Sequence, residues 1–524
     1  MSESSHHTLP RWVVPLSIGV VVATYVVLLC FGWPQYGTDQ IVSQLAHLEQ
    51  PEGADNGAEQ TEDNRIEAPP LWSVIPFVLM LGAIAVLPLI PATQHWWESN
   101  RSRFLVAFVL GAATLAYYAF LHRTPIEGHW PAHHVAAPAD GAVQTGIVTT
   151  ILANAIMKEY IPFIVLLFSL YTISGGIRIE GDLRADPITN ASFMAIGGTL
   201  ASFIGTTGAA MLLIRPLLET NQERKHVVHT VVFFIFIVCN CGGCLLPIGD
   251  PPLFLGYLEG VHFLWTLQLW KEWLFVNGLL LLIYVLFDEF VLYRQEAIRD
   301  IQRDIKRVRG LKITGWQLNV TLLVGVVLAV ALLDPSKPLL GTEWHPWMYL
   351  REVTQVSLVA ISLWFGSETV REKNSFNYHA IVEVAALFIG IFVCMQPALQ
   401  ILEERGDELG INSPAKFFWA TGGLSSVLDN APTYLVFFKT AQAMPHASDA
   451  VLEAGVEHTL LVGISLGAVF MGAMTYIGNG PNFMVKAIAE KSGVKMPSFF
   501  GYMLYSCVFL LPLFALTVWL FMWQ

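Results

Sequence analysis

The sequence predicts an all-α polytopic membrane protein with about 11 transmembrane helices plus two re-entrant hairpins, arranged in two inverted-topology repeats. Three observations predict it. Hydrophobic residues make up 54% of the 524 and charged residues only 13%, about half the charged share of a water-soluble chain. Apolar stretches long enough to cross a bilayer recur along the whole length. Two Gly-rich, Pro-interrupted regions repeat one another's pattern. This composition excludes a secreted or cytosolic enzyme, a disordered chain and a nucleic-acid binder, whose basic face is incompatible with a net charge of −12.

The first span, 12–32, is long enough to cross and lacks a small-residue cleavage pattern behind it, so it reads as an anchor rather than a signal peptide. With the acidic outside loop at 33–71 it makes up residues 1–71. The first repeat, 72–292, holds spans near 72–91, 104–121 and 160–177, a hairpin at 192–217, a broken helix at 230–258 and a span at 273–292. A basic cytoplasmic linker, 293–315, is read as a solvated helix resting on anionic headgroups. The second repeat, 316–524, holds spans near 316–333, 348–366 and 380–402, a hairpin at 414–441, a broken helix at 458–486 and a last span at 498–522.

If both hairpins return to the side they came from, an inside N-terminus puts 20 of the 29 Lys and Arg on the cytoplasmic side, as the positive-inside rule requires. The expected location is therefore the plasma (inner) membrane, multi-pass, with the C-terminus outside. The loop at 122–146 faces outside and carries His122, His129, His133 and His134. Their spacing matches no zinc signature, so the loop reads as solvated. All six cysteines lie within or beside apolar runs, as small buried hydrophobes. Cys239, Cys241 and Cys244 point to different faces of a helix, which argues against a metal.

A shift of 224 residues lays 198–206 on 422–430 and puts Glu159 on Glu383. A shift of 229 lays Ile248-Gly249-Asp250-Pro251-Pro252 on Ile477-Gly478-Asn479-Gly480-Pro481. The hairpins lie five spans apart, an odd number, so the second half enters the membrane from the opposite side.

The chemistry follows from the interruptions. Proline removes a donor and pushes the preceding residue out of the helical region, so the helices break at Gly249, Pro251 and Pro252 and again at Gly478, Gly480 and Pro481; Pro432 sits in the second hairpin. Half-helix ends then offer dipoles and freed backbone groups to an ion. Asp429 and Asp250 are carboxylates at membrane depth, where charge is costly and functional by default. Each either caps its half-helix or binds. Around them stand oxygen donors: Ser202, Thr206, Thr207, Ser425, Ser426, Asn430, Thr433, Asn240, Thr475, Asn479 and Asn482. Hard cations such as sodium take oxygen ligands, which makes Asp429 and Asp250 the sodium candidates, with Asp429 preferred. Glu159 and Glu383 are interfacial acids or proton-relay groups. No cofactor is expected beyond transported Na+ and H+; the expected partners are the bilayer, small inorganic cations and a carboxylate substrate, not nucleic acid.

Residues 204–213 (Ile-Gly-Thr-Thr-Gly-Ala-Ala-Met-Leu-Leu), Pro247 to Pro252 and Ser426 to Pro432 resemble the ion transporter superfamily. That group includes citrate and dicarboxylate carriers, arsenite-pump subunits and a branch of sodium/proton antiporters. The Asp429-Asn430-Ala431-Pro432 tip looks closest to the antiporter branch. The resemblance covers about residues 150 to 520 and implies a scaffold with a moving transport unit, a homodimer and elevator-like alternating access. Dicarboxylate carriers have Ser-Asn-Thr at both tips, where this chain has Gly205-Thr206-Thr207 and Asp429-Asn430-Ala431. The expected function is sodium/proton antiport by competition at buried carboxylates, with no enzymatic activity. The alternative is proton- or sodium-coupled symport of citrate or a dicarboxylate. A remote alternative is an intramembrane aspartyl protease, which Gly249-Asp250, Asp429 and Pro397-Ala398-Leu399 resemble in pieces but in the wrong order.

Overall fold

The computed structural model describes residues 13–48, 67–88, 90–97, 99–139, 141–445 and 450–523. Nearly all of the regular structure is helical, and among the described residues strands form only three two-stranded antiparallel pairs. Among the described residues, five helices are long and apolar enough to cross a membrane: Val13–Cys30, Asn100–Phe120, Thr145–Ser174, Trp265–Gln295 and Phe499–Phe521. The number is seven if each of two bent pairs is one span. Large apolar side chains such as Leu16, Phe108, Leu282 and Val508 stand exposed on these helices, as on a surface that meets lipid.

Two interrupted helices form the centre. Val228–Val238 is buried from His229 onward, then breaks into short turns at Cys241–Cys244 and Pro247–Gly249 before Pro251–Leu258. His458–Met471 breaks through Gly472–Met474 before Gly480–Lys491. A helix pair packs on each: Pro187–Ile204 with Thr206–Thr220 on the first, Pro414–Ser425 with Asn430–Gln442 on the second. The first pair turns at Gly205, whose φ of 78° only glycine adopts without strain. Packing then crosses over, for Thr206–Thr220 also lies against Gly480–Lys491, and Asn430–Gln442 against Pro251–Leu258.

Several expectations are corrected. The span placed at 160–177 begins at Thr145 and runs through a π-helical stretch, Ala153–Tyr160, into Ile161–Ser174. Asn154, Lys158 and Glu159 hide it from hydropathy, yet Asn154 and Glu159 are buried in protein. The helix expected over 72–91 stops at Val86, ahead of Pro88, and the one over 380–402 bends by 44° just before Pro397, both as proline dictates. The supposed loop at 33–71 opens with helix Trp33–Leu48. Thr38 anchors it by donating to Pro346 O (3.2 Å) and accepting from Met348 N (2.9 Å); the acidic residues 49–66 lie outside the described residues. The linker is only partly helical: Ile298–Arg307 gives way to strand Arg309–Thr314, paired with Arg178–Asp182. The loop at 122–146 is not freely solvated. Ile126–Gly128 pairs with His134–Ala136, and burial pushes the His122 imidazole down to about 4, so it is neutral at physiological pH.

Candidate functional site

Four residues from four chain segments meet at one carboxylate. Asp250 Oδ1 accepts from Thr206 Oγ1 and from Asn479 Nδ2, each at 3.0 Å, and Oδ2 accepts from Asn430 Nδ2 at 2.7 Å. All are buried: Asp250 and Asn430 are 1% exposed, Thr206 2% and Asn479 3%. Thr206 and Asn430 open the second helices of the two helix pairs, while Asp250 and Asn479 are the N-caps of Pro251–Leu258 and Gly480–Lys491. Four helix N-termini, the positive ends of their dipoles, therefore converge on one acid.

The local sequence explains why Asp250 turns inward. An N-cap carboxylate ordinarily accepts from the N2 or N3 amide, but Pro251 and Pro252 occupy N1 and N2 and offer no N–H, and the N3 amide of Leu253 donates to the Asp250 carbonyl at 3.1 Å. Asp250 makes no capping bond, and its oxygens turn to Thr206 in its own half and to Asn430 and Asn479 in the other. Asn479, followed by Gly480-Pro481, is likewise free of capping. Asp429 is different: its Oδ1 accepts from Ala431 N at 3.1 Å and caps its own helix, while its carbonyl accepts from Thr433.

A second layer holds the cluster. Asn240 Nδ2 donates to Asn482 Oδ1 (2.8 Å), Asn479 also donates to Cys239 O (3.0 Å), and Asn482 donates to Gly472 O and Thr475 O. Ser202 donates to Gly242 O (2.7 Å), tying the first helix pair to the break beside it. Ser425 ties the second helix pair to the other interrupted helix by donating to Ala468 O (2.7 Å). Ser426 bonds only within its own turn, to Gly423 O, although its carbonyl accepts from Thr475. Thr207 is half-buried one residue past Thr206. The cluster thus unites Asp250, Thr206, Asn430, Asn479, Asn240 and Asn482, braced by Ser202. It leaves Asp429, Ser426 and Thr207 at its margin. Pro397-Ala398-Leu399 takes no part, as none of the Asp250 bonds reaches it.

Asp250 has only neutral hydrogen-bond partners among the described residues, and Asn430 Oδ1 is buried with no partner. An uncompensated carboxylate in such a place costs several kcal/mol, roughly, even after relaxation. A cation or a proton cancels that cost, and an acceptor oxygen without a donor suits a cation.

Sequence reasoning missed a charged cluster at the far ends of the same helices. Lys158 pairs with Glu259 (2.9 Å), and Lys439 with Glu259 (3.0 Å) and Glu403 (2.9 Å). Glu259 ends the helix that Asp250 begins, and Lys439 lies on the helix that Asn430 opens. Nine residues along each helix put the two clusters about 13 Å apart. A cavity of about 40 Å³ here is lined by Glu159, Glu259, Gln396 and Lys439 among others, room for roughly two or three waters. Glu159 Oε2 is buried there without a partner. Lys439, a charge inside an otherwise apolar helix, was the available signal. Glu383 is elsewhere, paired with Arg103 at 2.9 Å between Asn100–Phe120 and His379–Cys394.

No curated protein matches this chain. One family does, over residues 66–522, and its description is "Putative citrate transport". With seven-eighths of the sequence covered by that match, the chain belongs to this family of the ion transporter superfamily.

Proposed function

We propose that the protein is a secondary active transporter that exchanges sodium for protons at Asp250. The observation that carries this reading is the burial of that carboxylate among neutral donors, beside an orphaned carboxamide oxygen, with no basic partner. One acid that holds either a proton or a cation, never both, couples the two flows by competition. Asp429 is the second candidate carboxylate, next to Asn430 in sequence but engaged as a cap.

The reading extends to two inverted repeats of about 11 spans working by elevator-like alternating access. In its support, Asp250 and Asn479 are equivalent under the 229-residue shift, cap equivalent half-helices and bond to each other. The crossed packing of each helix pair on the other half's broken helix has the same two-fold character. With the N-terminus cytoplasmic, a single cysteine at Gln222 is expected to react with an impermeant maleimide only from the cytoplasm, and one at Pro445 only from outside. Sealed, oriented vesicles of a variant lacking the six native cysteines give the test. Labelling of either site from the wrong side or from both overturns the hairpin topology.

Sodium-coupled symport of citrate or a dicarboxylate is the second reading. The family description favours it, as do the four convergent N-termini, which stabilise an anion. Proteoliposome flux with sodium, lithium, potassium, citrate and succinate added in turn distinguishes the two. Under antiport, sodium alone drives proton flux. Its apparent affinity falls by up to about tenfold per pH unit in the acid range, since a cation's carboxylate ligand must be deprotonated, while the maximal rate changes less. A sodium affinity that stays flat with pH, or flux that needs citrate, rejects antiport.

A further inference from the structure

Outside the transport site, three acids from three elements meet beside the linker. Asp182 ends strand Arg178–Asp182, Asp304 lies on helix Ile298–Arg307, and Glu223 lies in the turn between Thr206–Thr220 and Val228–Val238. One carboxylate oxygen from each lies within 4.8 Å of the other two. Asp182 is 7% exposed, Asp304 4% and the Glu223 side chain 8%.

Each acid has one oxygen engaged and one idle. Asp304 Oδ2 accepts from Ala185 N at 3.0 Å, Glu223 Oε1 pairs with Arg307 at 2.5 Å, and Asp182 Oδ2 faces Arg309 at 4.0 Å. Asp304 Oδ1, Glu223 Oε2 and Asp182 Oδ1 are all buried with no partner among the described residues. Buried acceptors are nearly always satisfied, so three idle ones on three neighbouring acids call for a positive partner. Arg307 and Arg309 are not it: their side chains are mostly exposed and reach only the engaged oxygens. Glu223 and Asp304, though not Asp182, also line a cavity of about 10 Å³ together with Arg224 and Glu296, close to the space of one ion or water.

We propose that Asp182, Glu223 and Asp304 bind one hard divalent cation of the Mg2+ or Ca2+ class. Three carboxylates with no sulfur or imidazole suit that class and not a soft metal, and a divalent charge offsets their mutual repulsion better than sodium does. The bound ion ties the turn after the first helix pair to the linker and to strand Arg178–Asp182. The site is independent of what the protein transports.

The test uses the full chain in detergent, stripped with a chelator. Millimolar Mg2+ or Ca2+ is expected to raise the apparent unfolding temperature by about 3 °C or more. Tb3+ is expected to bind with emission sensitised by Tyr293, which lines the same cavity. Asp304→Asn and Asp182→Asn each remove one ligand and one of three like charges. Both are expected to abolish the thermal response and to weaken Tb3+ at least about tenfold, yet to melt no lower than wild type in chelator. Asp250→Asn is expected to keep the response, which separates this site from the buried transport cluster. No cation response in wild type, a response that survives both ligand variants, or variants that melt lower in chelator while still responding would each overturn the site.

Discussion

Asp250→Asn is expected to abolish sodium-dependent proton flux, down to the level of protein-free liposomes, while the protein still folds and inserts. The change removes the exchangeable proton but keeps size and shape. Hydrogen bonding explains why the fold tolerates it. The aspartate accepts from three donors, so the new NH2 group faces a donor wherever it points. Asn430 relieves the conflict, because its Oδ1 has no partner and a flip of its amide presents that oxygen instead of its NH2. Asp250→Ala has no such remedy: it strips Thr206 and Asn430 of their acceptor and Asn479 of one of its acceptors, at about 1 to 3 kcal/mol for each donor left unsatisfied. Flux by proton-sensitive dye, read beside size-exclusion profiles of both variants, is the measurement. Wild-type flux in a well-folded Asp250→Asn protein would refute carboxylate competition at this site.

Much of the helical layout was legible because its determinants are local. Spans follow from apolar length, and the breaks follow from Gly249 to Pro252 and Gly478 to Pro481, where no helix can continue. What escaped was set by distant contacts. Trp33–Leu48 is anchored through Thr38 to Pro346 and Met348. Strand Arg309–Thr314 exists because Arg178–Asp182 offers it a ladder more than a hundred residues away. Ala153–Tyr160 keeps its polar residues in the membrane region because a protein cavity, not lipid, receives them.

The meeting of Asp250, Asn430, Asn479 and Thr206 was foreshadowed by residue type, but the ranking of the two acids was not. Preference for Asp429 rested on a hairpin tip in the closed interior with no basic residue within the motif. Capping leaves Asp250 the freer of the two carboxylates. Asp429 precedes Asn430-Ala431 and accepts from the second of these amides, whereas Asp250 precedes two prolines and makes no capping bond. That signal was present in the sequence, one and two residues beyond the aspartate.

Gly478→Ala is expected to be strongly destabilising, and Gly480→Ala, two residues further on, to be tolerated. A Cβ at Gly478 would lie 2.6 Å from Gly472 O and 2.9 Å from Ser425 O, both backbone atoms that no rotamer change can move aside. At Gly480 a Cβ would meet nothing within 4 Å, and the residue opens helix Gly480–Lys491, where alanine is a better helix former than glycine. The equivalent position in the other half behaves like Gly478: a Cβ at Gly249 would collide with Gly243 O and approach Ser202 Cα. In both halves, then, the backbone of the break presses against the break's own earlier turn and against the serine at the neighbouring helix pair. Overpacking of this kind costs about 1 to 3 kcal/mol or more. It also displaces Asn479 or Asp250, the very next residue, so transport should fall further than stability alone accounts for. Apparent unfolding temperature and proteoliposome flux for the three alanine variants make the check. Equal behaviour of Gly478→Ala and Gly480→Ala would mean that close backbone approach does not hold the two breaks together.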